Sequence, residues 1–459
     1  MPQETFLEFR KNYPTFTYER YTIERVGTRV KLTFYFSIDG LCTFAPTTEI
    51  ETANLTVLND PESETAQAIV FALGMTELIS YWKAACPPTV VVRCGHLSDW
   101  DKRFWKRLYF RGLSEFFYRN GIDADESDFM ELVCDPNPTP SPTAEYHSAG
   151  LHILPVGGGK DSCVTAALLK DEGAKNLFFT VNDQKARTDT VLAAGYTEDA
   201  ILRTYRTIDK NLLSLNSQGF LNGHTPFSAI VAFLSYYCAY LVGARDIVLS
   251  NESSANESNI AGTQVNHQYS KSYAFECDFA KYAERNLLPE IRYFSLLRPF
   301  SELQIAKQFA GLGQFHETFR SCNRGSKQNI WCAKCAKCLF VFSILSPFMD
   351  YDRLCALFGA DMLDDTDLLA DFDGLCGFSE VKPFECVGTT AEIVFALKKT
   401  AQKFQDEGRA LPALLRHFTE TAGTEIDENL LLEYEPRNNV PDEFLPAIKE
   451  MYTYVSKDC

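Results

Sequence analysis

The nine residues "LPVGGGKDS", numbered 154 to 162, place three consecutive glycines directly before a lysine, an aspartate and a serine. An apolar run at 151–156 predicts a strand before the glycines, and residues 162–173 predict a helix after them. Glycines allow positive φ angles, so several backbone N–H groups at such a junction can bind phosphate oxygens beside the helix N-terminus. The stretch predicts an anion-binding loop, with a purely structural tight turn as the alternative.

The polar residues of the loop add to this prediction. Lys160 contributes a cation, Asp161 can hold Mg²⁺ near the phosphates, and Ser162 offers both an N-cap and a hydroxyl ligand. The spacing excludes a Walker loop, which needs four residues between its first glycine and Gly-Lys-Ser/Thr, and it excludes a Gly-x-Gly-x-x-Gly dinucleotide turn. A different kind of phosphate-binding loop is therefore expected.

Strand and helix patterns alternate around the loop. Strands are predicted at 151–156, 176–181, 200–205 and 246–250, and helices at 162–173 and 225–244. This alternation is typical of an α/β fold with a doubly wound parallel sheet, which binds ligands at the carboxyl ends of its strands. Ser301 and Gln304 fit a capping box at the start of a further helix.

Three parts are predicted along the chain. Residues 1–140 form an α+β domain, with an alternating, half-buried strand at 30–38 and a helix at 64–85 that two prolines stop. Residues 145–345 form the α/β domain, and residues 346–459 are mainly helical. The four prolines of residues 135–142 predict a linker between the first two parts.

Charge and cysteine content restrict the class of protein. The 459 residues carry 44 Lys+Arg against 61 Asp+Glu, a net charge of -17 that opposes nucleic-acid binding. The charged N-terminus lacks the apolar core of a signal peptide, so the 15 cysteines are expected to be reduced or metal-bound in a cytoplasmic protein. The uncharged segment 225–244 is long enough to span a bilayer, but its Ser, Tyr and Pro residues favour a buried helix without membrane insertion.

The glycine loop resembles the S-G-G-x-D-S signature of the PP-loop ATP pyrophosphatase superfamily, with Gly157 standing where that family usually has serine. The departure removes a hydroxyl contact and leaves the backbone cradle of Gly158 and Gly159. The resemblance implies a sheet of the PP-loop (HUP-like) type and an enzyme that splits ATP to AMP and pyrophosphate while adenylating a substrate oxygen. Lys160 and Asp161 would be catalytic, and the loop from Gly157 to Ser162 would bind ATP.

Other segments are similar to the UDP-N-acetylmuramoyl-L-alanyl-L-glutamate epimerase family. They are "YWKAACPP" (81–88), "LYFRGLSEFFYRNGID" (108–123), "VLSNESSANESN" (248–259), "VNHQYSKS" (265–272), "LLRPFSELQIAK" (296–307) and "KPFECVG" (382–388). The resemblance implies an isomerase of peptidoglycan precursor synthesis, which inverts the terminal L-glutamate of the UDP-muramoyl dipeptide to D-glutamate. The reaction would need ATP and Mg²⁺ and pass through an acyl-adenylate. The oligomeric state is left open.

Inversion at a carbon requires acid–base groups that reach both of its faces. Cys86, before the double proline, and Cys386, beside a flexible glycine, are candidates because thiols serve in cofactor-independent racemases; a buried core thiol is the alternative for each. His267 is the third candidate, since its ordinary pKa suits base work, with a structural histidine as the alternative.

Polar residues after the strand at 246–250 are candidates for metal or ribose contacts, and a solvated loop is the alternative. They are Asn251, Glu252, Asn256 and Glu257. Four cations are candidates for binding the substrate's diphosphate and its glutamate carboxylate. They are Lys271, Arg298, Arg320 and Lys382.

Four cysteines follow as C-x9-C-x2-C-x2-C, namely Cys322, Cys332, Cys335 and Cys338. This spacing in a reduced compartment predicts a closed, structural zinc site, with unligated core thiols as the alternative.

The same cluster sustains rival functions. A PP-loop followed by four such cysteines resembles the 7-cyano-7-deazaguanine synthases, although those chains are much shorter and lack a counterpart of residues 1–140. Transfer-RNA thiolation enzymes are a further option, which the acidic charge disfavours. A non-catalytic nucleotide sensor is the last, and the retained Lys160, Asp161 and Ser162 argue against it.

Overall fold

A computed structural model describes residues 2–136, 146–170, 175–260, 263, 265–422 and 428–457. The strands are β1 Thr15–Val26, β2 Arg29–Ile38, β3 Cys42–Phe44, β4 Thr47–Glu51, β5 Thr89–Val92, β6 Glu131–Cys134, β7 Leu151–Pro155, β8 Asn176–Val181, β9 Ile201–Arg206, β10 Ala244–Leu249 and β11 Arg292–Ser295. The helices up to the end of β11 are α1 Pro2–Asn12, α2 Glu64–Trp82, α3 Asp99–Gly112, α4 Ser114–Arg119, α5 Lys160–Leu168, α6 Lys185–Ala193, α7 Lys210–Ser217, α8 Phe227–Val242 and α9 Tyr273–Asn286. The later helices are α10 Glu302–Ala310, α11 Ala336–Leu345, α12 Tyr351–Phe358, α13 Leu369–Cys376, α14 Thr390–Asp406, α15 Ala413–Thr421 and α16 Leu445–Val455.

The strands form one large, mostly parallel sheet. Its order is β11-β10-β7-β8-β9-β4-β2-β1-β5-β6, with β3 paired to β2. Strands β7, β8 and β9 follow one another in one direction across the sheet and β10 and β11 in the other, all parallel. The strand order therefore reverses between β7 and β10, which is where an open parallel sheet leaves a crevice for a ligand. The prediction of a mixed α/β fold is confirmed, and its PP-loop type stays a prediction.

The sheet continues across the predicted boundary at residues 140–145. Strand β4 pairs antiparallel with β9, so Glu49 lies opposite Tyr205 and joins the first part of the chain to the second. The predicted linker at 135–142 lies almost wholly outside the described residues. The division of the chain into three parts stays a prediction.

Each face of the sheet carries a hydrophobic core, because successive side chains of a strand point to opposite faces. On β7, Ile153 belongs to the core built with α2, α3 and α8, whereas Leu154 belongs to the core built with α5, α10 and the C-terminal helices. Ile247 and Val248 of β10 divide in the same way. The C-terminal helices therefore cover one face of the sheet.

The long apolar segment 225–244 forms helix α8, as predicted. Residues such as Phe233 and Tyr237 are fully buried between α2 and the sheet. Gly243 ends the helix in the left-handed conformation, with φ 71°. Among the residues that the structure describes, no helix combines the length and the apolar character that a membrane span requires.

Helix α10 begins with the predicted capping box. Ser301 Oγ accepts a hydrogen bond from the backbone N–H of Gln304, and the Gln304 side chain accepts one from the N–H of Ser301. The box fixes the direction of the helix entry and brings Glu302, the first residue of α10, under the glycine loop.

Candidate active site

A cavity of about 410 Å³ opens at the carboxyl ends of β7, β8 and β10. Its walls come from the glycine loop, from the start of α6 and α8, and from two later segments of the chain. The lining includes Gly157, Gly159, Asp161, Ser162, Arg187, Asn251, Lys271, Arg320, Lys337 and Cys386. The cavity therefore lies where the strand order reverses, as expected for a ligand site of a parallel sheet.

The glycine loop joins β7 to α5 and faces this cavity. Gly158 has φ +85°, and a Cβ there would lie 2.9 Å from Ala186 Cβ. Its carbonyl accepts a hydrogen bond from Arg320 N at 2.6 Å. Only glycine combines this backbone angle with such close packing.

Helix α5 begins at Lys160, with Gly159 as its N-cap. The prediction that Ser162 caps the helix is therefore wrong, because the helix starts two residues earlier than its apolar pattern indicates. Ser162 Oγ instead donates to Gly159 O at 2.9 Å within the first turn. The free N–H groups of this turn and the helix dipole give the loop its preference for an anion.

A matched pair of substitutions tests the loop. If the loop binds Mg·ATP, as its resemblance to the PP-loop signature implies, Gly158→Ala should raise the dissociation constant about tenfold, since forcing a left-handed backbone on alanine costs ~1–2 kcal/mol before the clash with Ala186. Gly157 lies outside the left-handed region, and a Cβ at this position would meet no neighbouring side chain within 4 Å, so Gly157→Ala should bind Mg·ATP within about twofold of wild type. Isothermal titration measures both; equal affinities would contradict the role of Gly158.

Lys160 lies beneath the loop in a cluster of three carboxylates. Its ammonium donates to Asp161 Oδ1 and to Glu302 Oε2 and is almost fully buried. Carboxylate oxygens of Asp161, Glu252 and Glu302 all lie within 4.8 Å of one another. Lys160 thus pairs with two of the three acids, and Lys271 and Lys337 act on the cluster electrostatically as well.

The pKa values of two acids in the cluster shift in opposite directions. Burial raises the pKa of Glu302 to about 8; Asp161 and Glu252 add to the rise, and Lys160 opposes it. For Asp161 burial acts in the same direction, but Lys160 and Lys337 outweigh it and lower its pKa. Three converging carboxylates are the oxygen ligands that Mg²⁺ takes in proteins, so the donor set fits a divalent cation beside the phosphate loop.

Cys386 lies on the cavity wall, where its thiol and the His267 ring are neighbours that interact electrostatically. The other partner of His267 is Glu115 of α4, whose Oε2 lies 2.5 Å from His267 Nδ1. His224 also faces this carboxylate, with Nδ1 at 3.4 Å from the same oxygen. The structure thus brings together two of the three acid–base candidates predicted from the sequence.

Cations surround Cys386. Burial would raise the pKa of its thiol, but Lys271, the interaction with His267, and Lys337 outweigh burial and lower the pKa to about 6. Burial would lower the pKa of His267, but its interactions with Cys386 and Glu115 raise the pKa to about 9. Between these two values the pair is a thiolate and an imidazolium.

Cys86, the other predicted thiol, lies instead within the hydrophobic core. Its Sγ donates to Lys83 O at 3.5 Å, and burial raises the pKa of the thiol far above its ordinary value. Cys86 is therefore a buried core thiol, which is the alternative given for it in the sequence analysis.

Two of the predicted substrate-binding cations are used internally. Arg298 is fully buried; it pairs with Glu276 at 3.0 Å and donates to the carbonyl oxygens of Glu252 and Lys271. Lys382 pairs with Glu257, outside the cavity wall. Arg298 therefore holds the backbone of two site residues in place, and its donors are taken.

The other two predicted cations, Lys271 and Arg320, do line the cavity, together with Arg187. Arg320 donates to Phe319 O at 2.6 Å and to Asn329 O at 3.3 Å, and Arg187 Nε is buried with no hydrogen-bond partner. Within the described ranges, both guanidiniums bond to carbonyl oxygens and not to carboxylates, and burial lowers the pKa of each. Nearby carboxylates of Asp183, Asp189 and Glu317 act on these charges only at a distance, so the two guanidiniums suit a phosphate group.

The four cysteines converge as predicted. Their Sγ atoms lie within 4.8 Å of one another, with Cys335 and Cys338 at 3.4 Å and Cys332 and Cys338 at 3.7 Å. Thiolates on one tetrahedral zinc, each at about 2.3 Å from the metal, stand about 3.8 Å apart. The donor set and its spacing therefore fit zinc, and all four thiols are unpaired by disulfides.

Several site residues were not predicted. Glu115, His224, Glu302, Lys337 and Arg187 reach the site through contacts between distant parts of the chain. The sequence signals for them were weak, such as the position of Lys337 between two cysteines of the cluster.

Two family models and three known proteins match most of the chain. The model of the MurL N-terminal domain matches residues 8–296, and that of the MurL C-terminal domain matches residues 318–429. A UDP-N-acetyl-alpha-D-muramoyl-L-alanyl-L-glutamate epimerase of Xanthomonas oryzae pv. oryzae is 35% identical over 81% of this chain and 82% of its own. Proteins of the same name from Micromonospora sp. and Salinispora tropica are each 34% identical, over 92% and 79% of this chain and 94% and 80% of their own. No solved structure matches the chain.

Proposed function

The chain belongs to the MurL family, and from this premise we propose that it inverts the terminal L-glutamate of UDP-N-acetyl-α-D-muramoyl-L-alanyl-L-glutamate to D-glutamate at the expense of ATP. The observation that carries the proposal is the shared cavity, in which the glycine loop and Cys386 face one ligand space. In such a site the glycine loop can bind the ATP that activates a carboxylate, while Cys386 can remove or return a proton.

Activation gives ATP a role in an isomerisation. The α-proton beside a free carboxylate is hard to remove because the resulting dianion is poorly stabilised. Adenylation of that carboxylate, with release of pyrophosphate, neutralises the charge and makes the α-proton acidic enough for a side-chain base. After reprotonation on the opposite face, water releases AMP and the D-epimer.

The loop from Gly157 to Ser162 would hold the phosphates of ATP, with Arg187 and Arg320 on the facing wall. Asp161, Glu252 and Glu302 would hold Mg²⁺, which neutralises the phosphates. Lys160 stays buried and keeps two of these carboxylates in position. Asn251, just after β10, is placed to contact the ribose or the metal.

Lys271 would bind a carboxylate of the substrate. It lies half-buried on the cavity wall beside Cys386, and its backbone carbonyl is held by a hydrogen bond from Arg298. A glutamate side chain paired with Lys271 would have its α-carbon near Cys386 Sγ. We further propose that the protein acts in the cytoplasm, because its ATP and its four-thiol cluster both belong to a reducing compartment.

The test is an incubation with UDP-N-acetylmuramoyl-L-alanyl-L-glutamate, ATP and Mg²⁺ in D₂O. Deuterium at the glutamate α-carbon, D-glutamate after hydrolysis, and AMP are measured together, with ATP omitted as the control. We expect all three to appear only with ATP. AMP without deuterium would move the search to amide, nitrile or thiolation products, and the absence of both would overturn the proposed epimerisation.

A further inference from the structure

A chain of three side chains connects α4 to the cavity wall. Glu115 is 5% exposed, and its Oε2 faces His267 Nδ1. Because Nδ1 is engaged by the carboxylate, Nε2 is the ring nitrogen left to interact with Cys386. A buried acid, an imidazole and a thiol in series form the arrangement in which a base is held by a third group.

We propose that Glu115, His267 and Cys386 form one acid–base relay, in which Cys386 Sγ exchanges the α-proton of the glutamate, the His267 imidazolium stabilises the Cys386 thiolate, and Glu115 positions His267. The proposal rests on the proposed epimerisation and deepens it. Cys386 is the catalytic residue, since it lines the cavity. Glu115 acts through His267 and is a positioning residue.

Proton transfer to Cys386 needs no oxidant or reductant. The thiolate of Cys386 takes the α-proton of the acyl-adenylate, the C–H bond breaks, and its electron pair moves to the acyl carbonyl oxygen. Cys386 becomes a thiol beside the His267 imidazolium, and this pair returns to thiolate and imidazolium when one proton passes to water. Water in the cavity then gives a proton to the opposite face of the α-carbon as the electron pair returns from the carbonyl oxygen, and the hydroxide that remains is neutralised by the proton released from Cys386.

Glu115 is well placed to fix the imidazole. Its carboxylate also pairs with Arg119 at 2.6 Å and faces His224, so it is anchored from three sides. Hydrogen bonding from Nδ1 to this carboxylate sets the tautomer and the ring orientation of His267. The N-terminal part of the chain thereby completes a site whose remaining groups come from residues after 150.

The pH dependence of the relay involves every charged group that faces it. Those around Cys386 are Lys271, Lys337 and His267, and those around His267 and Glu115 are His224, Arg119, Lys83 and Glu385. Burial and the neighbouring imidazolium lower the pKa of His224 to about 3, so it stays neutral in the working range.

The first experiment separates proton transfer from adenylation. We expect Cys386→Ala to lose α-deuterium incorporation and epimerisation by at least about 10³-fold, while substrate-dependent exchange of labelled pyrophosphate into ATP stays within about threefold. Cys86→Ala, the matched thiol in the core, should retain both activities. If the wild-type protein does not exchange pyrophosphate into ATP, the proposed adenylation is wrong. If Cys386→Ala still incorporates deuterium, the relay is wrong and the adenylation is unaffected.

The second experiment addresses Glu115 through the reactivity of Cys386. In wild type, alkylation of Cys386 by iodoacetamide, followed by peptide mass mapping, should reach half its maximal rate near pH 6. Glu115→Gln should move that midpoint upward by about one pH unit or more and lower epimerisation at least about tenfold, and Glu115→Asp should restore part of both. An unchanged midpoint in a folded Glu115→Gln protein would overturn the positioning role. If wild type binds a metal that Glu115→Gln loses, and adding that metal restores activity to the variant, then Glu115, His224 and His267 are metal ligands. That result would also overturn the relay.

Discussion

Asp161→Asn should lower ATP-dependent AMP formation on the order of 10²- to 10³-fold while leaving the protein folded. Asp161 lines the cavity at the first turn of α5, and its carboxylate lies within 4.8 Å of those of Glu252 and Glu302. Asparagine keeps the shape of the side chain and removes its charge, so the site loses a cation ligand beside the phosphates. Lys160 keeps Glu302 as a partner, which limits the loss of stability.

The measurement is AMP release with the muramoyl dipeptide and Mg·ATP, together with the melting temperature. Asp278→Asn is the matched control, because Asp278 pairs with Arg107 at 3.2 Å on the outside of the protein, and it should keep its rate within about twofold. Wild-type turnover by Asp161→Asn would contradict adenylation at this loop. A protein that binds ATP and serves as a sensor would tolerate the change, so the variant also distinguishes those two functions.

Much of the sheet could be predicted because its strands carry strong local signals. The apolar runs at 151–156 and 176–181 correspond to β7 and β8, and the alternating run at 30–38 corresponds to β2. The pairing of β4 with β9 could not be predicted, since both are short strands and their contact joins residues about 150 apart in the chain. Which strand edges pair depends on the packing of the whole sheet and not on the sequence of either strand alone.

The candidate site divides in the same way. The glycine loop and the cysteine cluster were predictable because their residues are close in sequence, where spacing alone sets geometry. Glu115 and Glu302 were not, because their partners His267 and Lys160 lie 152 and 142 residues away. The local sequence does not distinguish Cys86 from Cys386, and only tertiary packing places one in the core and the other among cations.

The zinc prediction carries the other large effect. Cys335→Ser should release one equivalent of zinc, measured by inductively coupled plasma mass spectrometry, and lower the melting temperature by about 5 °C or more. Cys335 is buried at the N-cap of α11, so removing it opens both the metal site and the start of a buried helix. Cys355→Ser on α12, a half-buried thiol outside the cluster, is the control and should keep the zinc and the melting temperature.

The same change should also abolish epimerisation, because the cluster holds a wall of the active-site cavity. Cys322 and Arg320 line that cavity, and Lys337, between Cys335 and Cys338, donates to the backbone carbonyl of Cys386. Loss of the metal would release this wall from its contact with Cys386, the proposed base, so pyrophosphate exchange and α-deuterium incorporation should fall together, unlike in Cys386→Ala. Protein that is purified without zinc, or Cys335→Ser protein that melts and turns over as wild type does, would show that the four thiols pack as unligated core residues.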